Sequence, residues 1–143
     1  MYGSLDISTS GMVAQRIRLE TIQANIANQH VIRDAAGNIS PFRRRMAMFA
    51  PGAPDSLNPA AKTLGVHVAQ IELDPAPIQP GEYDPDSPDA YTSGPFKGYV
   101  AKTNINPMVE QVNALEAGRA YEANVAAAEA TKTMIAQALR LLA

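Results

Sequence analysis

His30 and His67 are the only histidines in this 143-residue chain, and neither has a second ligand type three or four positions away along a helix. With no cysteine present, thiolate zinc sites, disulfides and cysteine nucleophiles are excluded together. Asp84, Asp86 and Asp89 begin like a calcium loop. Pro85 and Pro88 interrupt it, however, the turning glycine is missing, and no glutamate closes it. Ser8, Thr9 and Ser10 fall at a helix start, where hydroxyls cap or face solvent. No nucleophile elbow, phosphate loop or dinucleotide-binding glycine pattern occurs. Glu110, Glu116, Glu122 and Glu129 are spread along one segment with Arg119, Lys132 and Arg140 in reach, the pattern of a solvated helix face. The expectation is a protein without catalytic, cofactor-binding or metal residues and without a small-molecule substrate.

Two charge clusters remain. Arg43-Arg44-Arg45 is basic, and the stretch from Glu72 to Asp89 holds acids with no Lys or Arg before Lys97. A net charge of −2 does not suit a nucleic-acid partner. The clusters either pair between neighbouring subunits or stand as two solvated patches that never meet.

The elements that must position these groups are marked by proline. All 11 prolines lie between Pro41 and Pro107, so both ends are free to form long helices. In the first zone, about Ser4 to Asn28, Leu5, Met12, Leu19 and Ile26 recur every seven residues with Ser8, Gln15 and Ile22 between them. Such a repeat favours packing against another helix. In the third zone Asn106 is a good N-cap and Pro107 a good first helical residue. The seam there runs through Met108, Val112, Leu115, Tyr121, Val125, Ala128, Ile135, Leu139 and Leu142, with alanines giving a slim waist. Between the zones, Phe42–Phe49, Gly65–Leu73 and Gly98–Ala101 read as strands, and the second changes phase at Ala69, which predicts a bulge. The prolines from Pro75 to Pro95 predict an extended, polyproline-like loop.

The fold class is therefore mainly α with a small β insert: long terminal helices paired as a coiled-coil-like hairpin, and a proline-rich β-hairpin region between them. Residues 1–30 and 105–143 form a discontinuous helical polymerisation domain, and residues 31–104 the insert. Such a hairpin buries too little surface for its length, which implies that partners complete the fold. The subunit-interface residues expected on this ground are Leu5, Met12, Leu19, Ile22, Ile26, Val112, Leu115, Tyr121, Val125, Ile135, Leu139 and Leu142. The N-terminus shows neither the basic start nor the apolar run of a cleaved leader.

Leu5-Asp6-Ile7-Ser8-Thr9-Ser10-Gly11-Met12-Val13-Ala14-Gln15-Arg16, with Asn25-Ile26-Ala27-Asn28, resembles the N-terminal signature of flagellar rod and hook proteins. Asn104-Ile105-Asn106-Pro107-Met108-Val109-Glu110 and Arg119-Ala120-Tyr121-Glu122-Ala123-Asn124 resemble their C-terminal signature. The middle is similar to the proximal rod member through Gly65-Val66-His67-Val68, Ile71, Asp74, Tyr83 to Ala90 and Gly98-Tyr99-Val100. Asn28-Gln29-His30-Val31 and Ser87 depart from the pattern, and Ala90 to Lys97 lengthens a loop. The resemblance implies a subunit exported through the type III apparatus without a cleaved leader. It would assemble with copies of itself, other rod proteins and the membrane-ring base into the hollow shaft that carries torque across the periplasm. A sibling rod or hook protein is the alternative. In this reading Asn25, Asn28, Asn104, Asn106 and Asn124 tie helix ends and turns to backbone groups, and Arg119 and Tyr121 reach across subunits.

Overall fold

The computed structural model describes residues 3–142, and for Leu142 its backbone only, so the expectation for the Leu142 side chain falls outside it. The order of elements is helix α1 (Gly3–Ala27), strand β1 (Arg45–Pro51), helix α2 (Pro59–Leu64), strand β2 (Val66–Leu73) and helix α3 (Pro107–Leu142). Asn106 accepts a bond from the Met108 N–H at 3.0 Å, so α3 starts on a capped first turn with Pro107 inside it. At the far end of α1 the Asn28 side-chain amide donates to the Ala24 carbonyl at 2.7 Å, a second bond to the oxygen that also takes the Asn28 backbone N–H at 3.1 Å.

Helix α1 is the middle layer. It packs against α3 and against β1, β2 and α2. The helices are antiparallel: Asn25 meets Glu110, Arg18 meets Glu116, and Gly11 lies against Asn124. Continuing that register brings Gly3 level with about Lys132, so the last ten residues of α3 project past α1 by roughly 15 Å at 1.5 Å per residue.

The contact between the helices is slimmer than the heptad of large side chains suggests. The buried residues of α1 are Ser8, Gly11, Ala14, Thr21, Ile22 and Asn25, whereas Leu5, Met12, Leu19 and Ile26 are half-buried along its flank. On α3, Glu110 and Ala117 are buried, with Asn124, Ala128, Thr131 and Ile135 partly covered. Small residues let the axes approach, and the bulky ones are displaced to the edges.

Strands β1 and β2 pair antiparallel from Arg45↔Leu73 to Pro51↔Val66. The partner of Met48 is Gln70 and that of Phe49 is Val68, so Ala69 is the inserted residue of a bulge, where the alternation of the sequence changes phase. Three expectations need correction. The first strand begins at Arg45 rather than Phe42. Gly98–Ala101 is not a strand but the centre of an irregular knot, bridged to Tyr83 and Ala90 on two sides. The proline-rich stretch is accordingly folded back and not extended: Gly81, Asp84 and Tyr91 donate backbone bonds to Val100, Gly98 and Tyr99. Helix α2, unforeseen, is a single short element capped by Asn58 and opened by Pro59.

Candidate functional site: a polar knot and uncovered helix edges

Where α1 ends, β1 begins, β2 ends and α3 begins, five polar side chains meet. Asn25 is wholly buried and uses both ends of its amide on the backbone of Arg45, accepting from its N–H at 2.9 Å and donating to its carbonyl at 2.8 Å. The same Asn25 nitrogen donates to Glu110 Oε2 at 2.9 Å. Arg44 donates from Nε to Glu110 Oε1 at 2.7 Å and from an Nη to Asp74 at 3.1 Å, while its backbone N–H donates to Asn104 at 2.7 Å. Two asparagines thus hold two consecutive residues, Arg44 just before the first strand and Arg45 at its start, and the Arg44 side chain carries the carboxylates of Glu110 on α3 and of Asp74 just past β2. Glu110 is also wholly buried, so its oxygens take these donors in place of water. Burial works against the Arg44 charge, yet Glu110 and Asp74 outweigh it and raise its pKa.

Asp74 sits below its ordinary 3.8, held there first by the Ala76 N–H and then by Arg44. A carboxyl whose folded pKa is depressed contributes stability that is present above the unfolded value and lost as pH falls through the folded one. Asp74→Asn is therefore expected to flatten the acid limb of a stability-versus-pH curve below about pH 4, while Asp74 in the parent chain steepens it. Denaturant midpoints measured from pH 2 to pH 6 check this, and identical acid limbs would refute it.

The basic cluster does not act as one unit. Arg44 finds its acids within its own chain, Arg45 stacks over the Phe42 ring at 5.2 Å, and Arg43 reaches the Ala76 carbonyl at 3.4 Å. Pairing of Arg44 with a neighbour's acidic loop is thereby corrected to a pairing inside the subunit. Asp89 is likewise engaged, accepting from Arg33 at 2.8 Å. Sequence spacing could not show these pairs, because their members lie 30 to 66 residues apart. Ser10 was missed too: it donates to the Ile7 carbonyl and accepts the Val66 N–H, pinning the start of β2 to α1.

Other motif residues spread outward. Asn124 donates to the Ala120 carbonyl at 2.8 Å and fills the space left by Gly11. Arg119 and Glu122 are exposed and carry no ion pair among the described residues, and Tyr121 is partly exposed. Val125 and Ile135 are half-covered, whereas Val112, Leu115 and Leu139 are more than half exposed. Among the described residues no group of His, Cys, Asp or Glu could hold a metal ion, and no helix is long and apolar enough to cross a membrane.

A slim helical hairpin with apolar edges left uncovered is the build of a subunit of an axial assembly, and comparison with known proteins gives that class a name. The family described as flagellar basal body rod FlgEFG protein C-terminal matches residues 97–141. The flagellar basal-body rod protein FlgC of Borreliella burgdorferi is 38% identical, over 99% of this chain and 97% of the relative. Those of Bacillus subtilis (35%; 98% and 97%) and Aquifex aeolicus (36%; 92% and 90%) are similar over nearly their full lengths. The chain belongs to the FlgC family of flagellar basal-body rod proteins, and is a structural component of that rod.

Proposed function

We propose that this chain is a non-enzymatic subunit of the proximal rod, packing with copies of itself, with other rod proteins and with the membrane-ring base into a hollow shaft that transmits torque across the periplasm. Residues 1–30 and 105–143 form the polymerisation domain, and 31–104 an insert outside it. Export runs through the type III apparatus. The observation that carries the reading is the imbalance of burial. The buried apolar residues are Ala14, Ile22, Ala61, Ala90, Ala101, Ile105 and Ala117, while Met108, Val112, Leu115, Met134, Leu139 and Leu141 on α3 are 56–87% exposed. Each of those large side chains has about 1.5–3 kcal/mol to gain by burial, and a partner helix is what covers a face at i, i+3, i+4 and i+7. The half-buried flank of Leu5, Met12, Leu19 and Ile26 on α1 offers a second line for the same packing, with Ile22 behind it.

The test is Leu115→Asp. Being 56% exposed, Leu115 supports little of the subunit's own fold. The variant should keep the helical circular dichroism of the parent, and its stability within about 0.5 kcal/mol. It should nevertheless disappear from isolated basal bodies and abolish swimming, because it buries an unpaired charge on assembly. Normal incorporation would refute the interface.

A further inference from the structure

We propose that the groove between the first half of α1 and the start of β2, with Leu57 beside it, docks an arginine-bearing aliphatic segment of a different protein of the basal body. The rod reading enters only in placing that partner. The groove measures about 410 Å3, and Val13, Ile17, Val66 and Val68 supply its apolar wall. Val13 is 42% exposed and the other three are half-buried.

Leu57 keeps 99% of its surface exposed. Asp6 and Ser56 line both the groove and the shallow depression at Leu57, so the two form one continuous surface. A leucine just before a helix cap ordinarily packs on the fourth helical residue. Asn58 caps α2 and Pro59 opens it, so that residue is Lys62, which is itself exposed and gives Leu57 no cover. The loop that carries Leu57 is nevertheless held. The Ser56 N–H donates to the Ala53 carbonyl at 3.0 Å, Ser56 Oγ accepts the Asn58 N–H at 3.2 Å, and Asn58 Oδ1 accepts the Ala60 N–H at 3.0 Å. Pro54 and Pro59 restrict the backbone on both sides. A backbone ordered in advance loses little entropy when a partner covers it, which suits Leu57 to anchor a contact.

Charge selects the occupant. Asp6 and Asp55 line the groove, no Lys or Arg does, and neither acid has an ion pair among the described residues. His67 lines it too. Its Nδ1 lies 2.7 Å from the Gly52 carbonyl, which can only accept, so Nδ1 carries the proton and Nε2 of the neutral ring is an acceptor. Two carboxylates and an imidazole acceptor beside an aliphatic wall match a guanidinium on a methylene stem, which brings five donors and no acceptor. The stem packs along the valines while its head reaches the acids. A second copy does not supply this segment. Asp6, Val13 and Ile17 lie roughly 100–160° round α1 from Leu5, Met12 and Leu19, at 100° per residue, so the groove faces away from the flank offered to helix packing. This chain's own exposed arginines without ion pairs among the described residues, Arg119 and Arg140, sit on α3, whose exposed face that packing already uses.

The test replaces Leu57 with the photo-reactive p-benzoylphenylalanine in the full chain and irradiates intact basal bodies. Because Leu57 touches so little of its own subunit, the helical circular dichroism should match the parent. The expected result is a cross-link to a protein other than this chain, mapping to a segment that holds an arginine between aliphatic residues. Asp6→Asn with Asp55→Asn should cut its yield per incorporated chain at least ten-fold, since the guanidinium then docks without a counter-charge. Asp6 stands in the first turn of α1, where an acid supports the helix, so Asp55→Asn alone serves as the variant that leaves the fold untouched. It should cut the yield at least three-fold. A cross-link only to further copies of this chain, one to a segment without arginine, or none from incorporated chains would overturn the docking and leave the rod reading standing. A yield indifferent to both acids would overturn it as well. Absence of the parent chain from basal bodies would overturn both readings.

Discussion

Glu110→Ala is expected to lower the stability of the subunit by about 3–5 kcal/mol, the cost of removing one partner from a buried ion pair. The loss does not stem from the salt bridge alone. Glu110 is wholly buried and receives Arg44 Nε at 2.7 Å and the Asn25 amide at 2.9 Å. Without it, a guanidinium only 21% exposed keeps Asp74 alone, and a buried amide N–H loses its second acceptor. Domains of this size have about 5–15 kcal/mol in total, so the subunit should approach the edge of stability. Urea unfolding checks the value, and a loss below about 1 kcal/mol would show that the knot is a bystander. A paired replacement, Arg44→Met with Glu110→Met, should recover much of the loss, since well-packed apolar residues can replace a buried ion pair at little cost. The recovered chain carries a second result: Asn25 and Asn104 still hold the backbone of Arg45 and Arg44, so the insert should keep its attachment to α1.

The long elements were legible in the sequence because their signals are local. Asn106-Pro107 announces the start of α3 through the chemistry of one turn, and the absence of proline before Pro41 and after Pro107 announces both helices. The bulge at Ala69 was readable for the same reason, since one skipped residue inverts the alternation on each side of it. The knot was legible only in part. Asn25, Asn104 and Glu110 stand out as motif residues, but Arg44 was indistinguishable from Arg43 and Arg45, and what singles it out is where three other elements happen to end. Gly98–Ala101 misled because its β-like composition is real while its neighbours are turns, so it gains one bridge on each side and no ladder. The slim helix contact was concealed for another reason. Periodicity weighs side chains by hydrophobicity, so it pointed to Leu5, Met12, Leu19 and Ile26, whereas closeness of approach is set by the smallest residue at the contact, Gly11.

Gly11→Leu should therefore cost the subunit about 3 kcal/mol, the upper part of the range for forcing extra carbons into a packed contact. A Cβ at Gly11 would stand 2.7 Å from Asn124 Oδ1 and 2.9 Å from its Cγ, inside any tolerable contact. Asn124 cannot step aside freely, because its amide nitrogen is bonded to the Ala120 carbonyl at 2.8 Å. Gly11→Ala separates the two terms. Alanine gains about 1 kcal/mol of helix propensity over glycine while displacing the same carboxamide, so the net change should be near zero. Adding Asn124→Ala should then expose the propensity gain, making the Gly11→Ala, Asn124→Ala chain more stable than Asn124→Ala alone by about 1 kcal/mol. A parent-like melt for Gly11→Leu would mean that the helices are not held at this distance. The effect on assembly should exceed the effect on the subunit, because prising α1 from α3 moves the flank of Leu5, Met12, Leu19 and Ile26 relative to Val112 and Leu115, and a partner helix that spans both lines needs them at one fixed spacing.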